Sequence, residues 1–398
     1  MKFENTGKDA VIVLAHRTAI GRGKKGSLAL TRPDDLMVAL LKGMMERMGK
    51  IGVKPEQIDD VLVGCAMPEG EQGLNLARIV ALGAGFPDTV SAATVNRFCS
   101  SGVETIAQAA AKIAAGHADI LLAGGVESMS MVPMSGNKPS MSPDMAERMP
   151  DVYVPMGITA ENVAKRFEIS RADQDNLALR SHQKATAAVE KGNFTAEIIP
   201  VQAVGFDSQG QHKDSSFAKD ELIRPETSLE ALGALKPAFM QSGGSVTAGN
   251  SSPISDGAAV SLVMSRATAE KMGLKPIGVL RGYATAGVDP ALMGIGPVPA
   301  IRKLLGRHGG TIGEIDVVEL NEAFASQAVY CQRELGISDA QVNPNGGAIA
   351  LGHPLGATGA RMTATLLHEL GRRRGRFGIV SMCIGGGMGA AALYELPM

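Results

Sequence analysis

Short apolar runs alternate with longer amphipathic segments along most of this 398-residue chain. The run Ala10–Ala15, with sequence AVIVLA, is apolar throughout, which is typical of a strand buried on both faces. The segment that begins at Asp34 and Asp35 and continues through Met48 has acids in its first turn and predicts a helix. Alternation of this kind predicts an α/β protein whose sheet is rich in parallel strands.

The same patterns predict the other elements of the chain. Further buried strands are predicted at Val61–Cys65, Ala92–Val95, Asp119–Gly125, Ala258–Met264, Ile277–Ala284, Val317–Leu320 and Phe377–Met382. Helices are predicted at Asn75–Ala84, Val103–Gly116, Thr159–Phe167, Ser170–Lys191, Ala267–Met272, Val298–Arg307, Glu322–Leu335 and Thr358–Arg372.

The strand–helix alternation is interrupted in the middle of the chain, where Met129–Pro155 is rich in Met, Pro and Ser and shows no period. We therefore predict an inserted loop domain at 128–252, of the kind that usually binds the ligand. The flanking parts share a weak pattern: a reactive residue in a turn of small residues precedes a helix, and a buried strand ending in glycines follows. This pattern indicates two halves of similar topology, 1–127 completed by 253–273, and 274–398.

The composition of the chain limits the kinds of partner that it can bind. The chain is 45% hydrophobic and 20% charged with a net charge of -1, so it has no excess charge to attract nucleic acid or an anionic membrane. Only 4% of its residues are aromatic and none is Trp, which argues against base-stacking surfaces. No apolar run approaches bilayer length. We therefore expect neither nucleic acid nor a membrane as a partner.

Four cysteines, Cys65, Cys99, Cys331 and Cys383, are too few and too scattered for a disulfide framework. They form no CxxC pair, so no metal site is predicted. Residues 1–9 carry acids and lack the apolar region of a secretory signal. We expect a reducing compartment and a cytoplasmic location.

Cys99 lies between a small, β-prone segment and an Ala-rich helix. This places its sulfur at a helix N-terminus, where free N–H groups and the helix dipole favour the thiolate, which is the nucleophilic form. The alternative is a buried structural cysteine, which is the commoner fate of a single Cys.

His353 lies in the segment 346–361, which holds five glycines and a proline. Glycines permit close backbone approach, and a base for Cys99 needs an imidazole held within hydrogen-bond reach. A histidine satisfied by a tight turn is the alternative.

Two more residues follow buried strands, where α/β folds place their ligand-binding groups. Cys383 precedes a turn of glycines and suits an acid or base, while the N–H groups of that turn suit an oxyanion. A core cysteine before a turn is the alternative. Asn321 follows the run VVEL, and its amide suits the holding of a water molecule. The alternative for Asn321 is an ordinary helix N-cap.

Taken together, these segments resemble the signature blocks of the thiolase family, and the resemblance covers essentially the whole chain. Four blocks in the right order make the match specific. They are Asn96-Arg97-x-Cys99-Ser100-Ser101-Gly102, Asn321-Glu322-Ala323-Phe324-Ala325, Gly352-His353-Pro354-x-Gly356-x-Thr358-Gly359-Ala360-Arg361 and Cys383-x-Gly385-Gly386-Gly387-x-Gly389.

The resemblance implies two βαβαβαββ halves stacked as a five-layer αβαβα sandwich, plus a loop domain that holds coenzyme A. It also implies catalytic roles. Cys99 would be the acylated nucleophile, His353 its base, and Cys383 the group that moves a proton to and from the α-carbon of acetyl-CoA. Asn321 would hold a water that stabilises an enolate together with His353, and the N–H groups of Cys99 and Gly385 would form a second oxyanion hole.

The resemblance further implies contacts with substrate. Arg224 would lie near the adenine–ribose end of CoA, Ser252 would touch the pantetheine, and Met156 would belong to the same substrate site. CoA is then a substrate, so no cofactor is expected. A homodimer follows by analogy, with a dimer of dimers and a β-oxidation partner subunit left open.

Two positions favour the degradative, peroxisomal-type branch that cleaves 3-ketoacyl-CoA. Ser100 stands where biosynthetic acetoacetyl-CoA thiolases usually have Gly, and Pro155 stands where they have a His associated with a small pocket. The alternatives are a biosynthetic thiolase, a ketoacyl synthase, a catalytically silent lipid-binding relative and a cysteine hydrolase. Silent relatives should lack the second cysteine or the His-Pro block, and this chain has both.

Overall fold

A computed structural model describes residues 1–206 and 209–397. Asp207 and Ser208 of the predicted loop domain, and Met398 of the predicted C-terminal half, lie outside the described residues. The strands are β1 Ala10–Arg17, β2 Gly21–Arg22, β3 Asp60–Gly64, β4 Ser91–Val95, β5 Ile120–Ser128, β6 Val201–Ala203, β7 Ser215–Phe217, β8 Ser255–Ser265, β9 Gly278–Gly287, β10 Val317–Leu320, β11 Phe377–Ile384 and β12 Met388–Glu395. The helices are α1 Pro33–Lys50, α2 Leu76–Ala84, α3 Ser101–Ala115, α4 Pro143–Arg148, α5 Met156–Arg166, α6 Arg171–Glu190, α7 Leu229–Gly233, α8 Arg266–Lys271, α9 Pro297–Arg307, α10 Ala325–Leu335, α11 Ala348–Leu351 and α12 Leu355–Arg373.

Ten of the strands form one sheet in the order β10-β11-β12-β9-β1-β8-β5-β3-β4, with β2 beside β8. The two halves of this sheet meet where β1 pairs with β9 over only two residue pairs, Val11 with Val279 and Ile12 with Gly278. On the C-terminal side, the position of β4 is taken by a single parallel bridge between Val318 and Val342. The two halves therefore share one topology around a narrow junction.

The prediction of a sheet rich in parallel strands is wrong. Only β3–β4, β3–β5 and β10–β11 pair in parallel, and the other pairings in the large sheet are antiparallel. The reason is that β8 returns from the inserted region and lies between β1 and β5. In the other half, β12 was missed: it follows β11 directly through the turn Gly385–Gly387 as a hairpin. Gly386 and Gly387 have φ of +82° and +83°, values that favour glycine.

Three apolar clusters show how the layers stack. The middle cluster joins α3 and α12 to the inner faces of both sheet halves, with Ile106 and Leu366 among its members. On the outer faces, α1 and α2 pack on the N-terminal half, with Leu40 and Val80, and α9 packs on the C-terminal half, with Leu304. The order is helix, sheet, helix, sheet, helix, which is the five-layer arrangement that the family resemblance implies.

Glycines let the two central helices approach closely. A Cβ added to Gly102 of α3 would lie 2.8 Å from the backbone of both Gly356 and Ala360 in α12. A Cβ on Gly359 would overlap the backbone of Val103. The glycines of the 346–361 segment therefore serve in part to bring the N-terminal ends of α3 and α12 together, and with them the residues that precede each helix.

The inserted region between β5 and β8 contains α4–α7 and the small β6–β7 sheet. No helix in the described part of the chain is both long and apolar enough to cross a membrane.

Candidate active site

Cys99 lies in a 3₁₀ turn, Phe98–Ser100, between β4 and α3. Phe98 has a φ of +43°, so the chain reverses sharply just before the cysteine. The turn is held by its own side chains: the N–H of Arg97 donates to the hydroxyl of Ser101 at 2.9 Å, and that hydroxyl donates to the carbonyl of Phe98 at 2.7 Å. The sulfur is thereby fixed at the start of the helix.

The thiol of Cys99 is only 2% exposed. Burial raises its pKa to about 11, although the N–H groups of Gly385 and of Cys99 itself donate to the sulfur and act in the other direction. The N–H groups at this turn favour the thiolate, as the sequence indicates, but loss of water on burial outweighs them. Cys99 rests as a thiol and needs a base to become a nucleophile.

His353 precedes α12, and the structure fixes its tautomer. The hydroxyl of Thr358 donates to the carbonyl of Pro354 at 2.9 Å, so it accepts from Nδ1–H of His353 at 2.6 Å. The Nε2 atom then carries the lone pair and accepts from the amide of Asn321 at 3.3 Å. Burial, aided by the charge of Arg361, lowers the pKa of His353 to about 3. The imidazole is neutral and has the form of a base.

Asn321 follows β10 and is 1% exposed. Its N–H donates to the carbonyl of Ser381 in the parallel neighbour β11, which brings it beside the end of the strand that carries Cys383. The N-cap alternative is wrong: α10 begins at Ala325 with Phe324 as its N-cap, so the predicted helix start at Glu322 was three residues early. The Oδ1 atom of Asn321 has no partner among the described residues, so the amide keeps free hydrogen-bonding capacity.

Cys383 is fully buried, and its pKa is raised well above the usual value by burial and by the nearby sulfur of Cys99. It packs in a small apolar cluster with Met293 and Ala323, against which Met156 also packs. Gly385 lies between Met156 and Phe98, with nearest atoms 3.7 and 3.8 Å from the position a Cβ would take. The glycine turn after β11 therefore reaches across to the Cys99 turn.

The five predicted catalytic residues thus come together in linked pairs. Gly385 donates to Cys99, Cys99 is close enough to Cys383 to affect its pKa, and Asn321 is hydrogen-bonded to His353. Leu355, two residues after His353, packs in one apolar cluster with Cys99. This contact connects the His353 segment to the Cys99 turn.

The predicted CoA-contact residues are spread more widely. Arg224 lies exposed on a small surface cleft, which is also lined by Ser251 and Pro253. Ser252 lies between those two, and its hydroxyl donates to the carbonyl of Ala323 at 3.1 Å. Met156 is separate from the cleft and lies in the Cys383 cluster. These three residues mark a path from the loop domain to the thiols.

Sequence reasoning did not single out several buried polar residues around the site. Thr358 sets the tautomer of His353, and the carboxyls of Glu127 and Glu322 accept hydrogen bonds from the loops around the reactive groups. Burial raises the pKa of both carboxyls. Thr358 and Glu322 stand in the quoted blocks, and the position of Glu127 near the end of the buried strand β5 was the available signal for the third.

No group of three or more His, Cys, Asp or Glu suited to a metal ion occurs in residues 1–206 and 209–397, and all four cysteines are free thiols.

Two stacked α/β halves, with a buried thiol on one and a second thiol, a neutral histidine and an amide on the other, define a candidate acyl-transfer site of the cysteine type. Comparison with known proteins makes the assignment specific. Residues 10–267 match the family described as "Thiolase, N-terminal domain" and residues 274–396 match "Thiolase, C-terminal domain". The chain belongs to the thiolase family.

Its relatives include a 3-ketoacyl-CoA thiolase of Bacillus subtilis (strain 168), 51% identical over 98% of this chain and 100% of that protein. The peroxisomal 3-ketoacyl-CoA thiolase A of Mus musculus is 50% identical over 98% of this chain and 92% of its own length. Among solved structures, the dimeric peroxisomal thiolase of Saccharomyces cerevisiae is 40% identical with a TM-score of 0.90, covering 99% of both chains. The acetyl-CoA acetyltransferase of Bacillus anthracis is 41% identical with a TM-score of 0.89, covering 98% of this chain and 99% of that one.

Proposed function

We propose that this protein is a 3-ketoacyl-CoA thiolase, which uses CoA to cleave a 3-ketoacyl-CoA into acetyl-CoA and an acyl-CoA shortened by two carbons. The observation that carries the proposal is the approach of two buried thiols from opposite halves, Cys99 and Cys383, which are near enough for Cys99 to raise the pKa of Cys383. A neutral histidine, His353, is hydrogen-bonded to Asn321 in the C-terminal half. A carbon–carbon cleavage of this kind needs both a nucleophile and a separate proton donor, whereas thioester hydrolysis needs only the first.

In the first half-reaction, Nε2 of His353 takes the proton of Cys99, and the thiolate attacks the 3-keto carbon. The bond between C2 and C3 then breaks, which leaves the acyl group on Cys99 and the enolate of acetyl-CoA. Cys383 gives its proton to C2 of that enolate. Its raised pKa suits this step, because a buried thiol is protonated at neutral pH and acts as an acid.

The developing anions need fixed donors. The N–H groups of Cys99 and Gly385 donate to the sulfur of Cys99. They are therefore placed to stabilise the oxyanion that forms when Cys99 attacks the 3-keto carbon, and again when CoA attacks the acyl-cysteine. The amide of Asn321, next to His353, is proposed to hold a water that stabilises the enolate oxygen. In the second half-reaction CoA gives its proton to the Cys383 thiolate and attacks the acyl-cysteine. Cys99 then leaves as a thiolate and recovers its proton from His353, and the shortened acyl-CoA is released.

CoA is proposed to enter along the path from the Arg224 cleft past Ser252 to Ala323. Arg224 offers a cation to the phosphates, and the acyl chain is proposed to lie near Met156, in the cluster with Met293. CoA serves as a substrate, and the scheme uses no cofactor. Pro155, directly before α5, stands where biosynthetic thiolases have a histidine associated with a small pocket, and this supports acyl chains longer than acetoacetyl.

We also propose a cytoplasmic homodimer. The edge strand β4 is only half-buried, and Leu74, Ile79 and Leu82 beside it are 90%, 43% and 45% exposed. An unpaired edge next to exposed apolar side chains suits pairing with a second copy. The dimeric yeast structure supports this assembly. The location is supported by the bacterial relative and by the four free cysteines of this chain, which suit a reducing compartment.

The decisive test is CoA-dependent thiolysis of 3-ketoacyl-CoA substrates of four to sixteen carbons, with Cys99→Ala as the blank. Higher kcat/KM on the longer chains is expected. Activity confined to four carbons would instead assign the biosynthetic branch, to which the comparison with the acetyl-CoA acetyltransferase points. Absence of CoA-dependent cleavage at every length would overturn the proposal in favour of a silent lipid-binding relative.

A further inference from the structure

The segment that carries His353 is held at both ends by buried carboxylates, one from each half of the molecule. Four residues before the histidine, the N–H of Ile349 donates to Glu322 at 3.2 Å. Three residues after it, the N–H of Gly356 donates to Glu127 at 2.8 Å. Glu127 is fully buried and Glu322 is 4% exposed. Neither carboxylate has a role in the proton transfers of the proposed reaction.

Glu322 lies beside the catalytic amide and gathers three separate segments. Its Oε2 atom accepts from the hydroxyl of Ser181 at 2.7 Å and from Ile349, and its Oε1 atom accepts from the amide of Asn343 at 2.9 Å. Ser181 belongs to α6 of the inserted region, and its hydroxyl in turn accepts from the N–H of Gly347. A Cβ on Gly347 would overlap the carboxyl of Glu322, so the chain passes directly over this group.

Glu127, near the end of β5, does the same from the N-terminal half. Its Oε2 atom accepts from the N–H groups of Ala66 and Gly356, both at 2.8 Å, and its Oε1 atom accepts from the side-chain amide of Gln72 and the N–H of Met67. A Cβ on Gly356 would lie 2.8 Å from Oε2 of Glu127. The contact therefore ties the first turn of α12 to the loop that follows β3.

Every group facing the two carboxylates in these hydrogen bonds is a donor. A neutral amide in place of either one must turn its NH₂ group toward at least one of these donors, and that donor then loses its partner in a buried site. The amide of Asn343 cannot rotate to compensate, because it also donates to and accepts from the backbone of Leu320 at 2.8 Å. The carboxylates are therefore specifically required, rather than any side chain of this shape.

We propose that Glu127 and Glu322 form a two-sided clamp on residues 349–356 and act as positioning residues that set His353 against Cys99. The inference rests on the proposed function, in which His353 is the base for Cys99. Two anchors from opposite halves also make the placement of His353 depend on how the halves stack. Misplacement of a catalytic group by about 1 Å costs on the order of 10²-fold in rate, so the clamp is large enough in effect to measure.

The test compares Glu127→Gln and Glu322→Gln with wild type in two assays. The first is thiolysis, where kcat is expected to fall by about 10²-fold while KM changes by less than about threefold, because neither carboxylate itself lines the proposed CoA cleft. The second is the rate of Cys99 alkylation by iodoacetamide as a function of pH, with Cys99→Ala as the blank. Both variants should shift the alkylation profile toward that of His353→Ala.

Asp316→Asn is the matched control. Asp316 precedes β10, at the opposite end of the strand from Glu322, and accepts from the N–H groups of Arg376 and Phe377 at 2.7 and 2.9 Å. Its loss should lower the melting temperature but leave kcat and alkylation within about twofold of wild type, since nothing reactive depends on it. A fall in kcat for Asp316→Asn equal to that of the clamp variants would show a merely structural role and overturn the proposal.

Gentler variants keep the test open where a clamp variant does not fold. Ser181→Ala and Gln72→Ala each remove one donor and leave both charges, and each should lower kcat by about three- to tenfold. In the double variant of Glu127 and Glu322, the fall in kcat should be smaller than the product of the single effects, because both hold one segment. Additive effects would mean independent roles and contradict the clamp.

The alkylation assay separates failure of the clamp from failure of the proposed function. A wild-type protein that cleaves no 3-ketoacyl-CoA would overturn the function, while the alkylation profiles would still judge the clamp. Clamp variants that fold and alkylate as wild type does would overturn the clamp alone. Equal alkylation of wild type and His353→Ala would contradict the premise that His353 activates Cys99, and the clamp proposal would then be overturned as well.

Discussion

The two halves of the molecule use one topology for different chemistry. In the N-terminal half, the turn between β4 and α3 presents a single reactive group, Cys99. In the C-terminal half, the strand equivalent to β4 is reduced to the bridge at Val342, and the connection to α12 is a longer segment that carries His353. That half also supplies Asn321 and Cys383 from the ends of two parallel strands.

The difference shows why neither half is sufficient. The nucleophile stands on one half, and the base, the proton donor and the amide stand on the other. The halves meet through α3 and α12, whose glycines allow backbone contact, so the site exists only when the central layer is packed closely. Experiments that alter one half at a time therefore test the division of labour directly.

The largest expected contrast is between the two thiols. Cys99→Ala should abolish both cleavage and the exchange of labelled CoA into acyl-CoA, with losses of at least about 10⁴-fold, because no acyl-enzyme forms. Cys383→Ala should lower cleavage by about 10³-fold, the range of a lost acid–base group, and should lower the exchange reaction much less. Equal losses of both reactions in the two variants would contradict the separation of nucleophile and acid.

The next effect concerns the amide of the C-terminal half. Asn321→Ala removes the donor beside Nε2 of His353 and should lower kcat by about 10²–10³-fold, as expected when a donor to a developing anion is lost. Gln327→Ala is a suitable control, because the amide of Gln327 donates to the backbone carbonyl of Asn321 at 2.9 Å and has no direct part in the chemistry. A loss in Gln327→Ala as large as that in Asn321→Ala would place the effect in the loop and not in the amide.

The packing between the halves can be tested within a single helix. Gly359→Ala should destabilise the protein by about 1–3 kcal/mol and lower activity, since the added methyl overlaps the backbone of Val103. Gly371→Ala, near the end of the same helix, meets no atom within 4 Å and should stabilise the protein by about 0.5–1 kcal/mol. Urea unfolding and thiolysis of both variants give the comparison, and equal signs of the two stability changes would contradict it.

Sequence patterns predicted the thiolase fold better than the strand pairing, and the catalytic roles of the site residues stay predictions. Periodicity is local, so it located β1, α1 and β10 well. It did not show that β8 inserts between β1 and β5, because strand order depends on contacts between distant segments. The hairpin partner β12 was missed because its small residues, with the sequence MGAAALYE, carry little strand signal.

The protonation states and hydrogen-bond directions of the site residues were harder to predict from the sequence than their positions at the ends of strands and helices. Position at a helix start favoured a thiolate for Cys99, whereas the structure raises its pKa because the turn is buried beneath both halves. Thr358 and Glu127 were not identified, since their roles depend on which way a hydroxyl or a carboxylate faces in the folded protein. Burial and hydrogen-bond direction are properties of the assembled core, and a linear pattern does not contain them.

The smallest expected effect concerns the contribution of a buried histidine to the pH dependence of stability, and it compares one such histidine from each half. His16 in β1 is 6% exposed, and burial, with smaller effects from Arg47 and His368, lowers its pKa to about 4, much as burial lowers that of His353. Between the unfolded pKa of 6.5 and about 4, the unfolded chain binds a proton that the native state does not, so this term makes stability fall as pH falls.

Buried acids such as Glu319, whose pKa burial raises to about 8, act in the opposite sense, so the term from His16 must be isolated by substitution. His16→Gln should therefore be compared with wild type by urea unfolding at pH 6.5 and pH 5. On lowering the pH, wild type should lose on the order of 1.5 kcal/mol more than the variant does. Thiolysis at pH 7 should stay within about twofold, because His16 lies away from the reactive groups and its loss removes no donor to them. An equal loss of stability in both proteins would mean that His16 is charged in the folded state, and the likeness between the two buried histidines would then end at their burial.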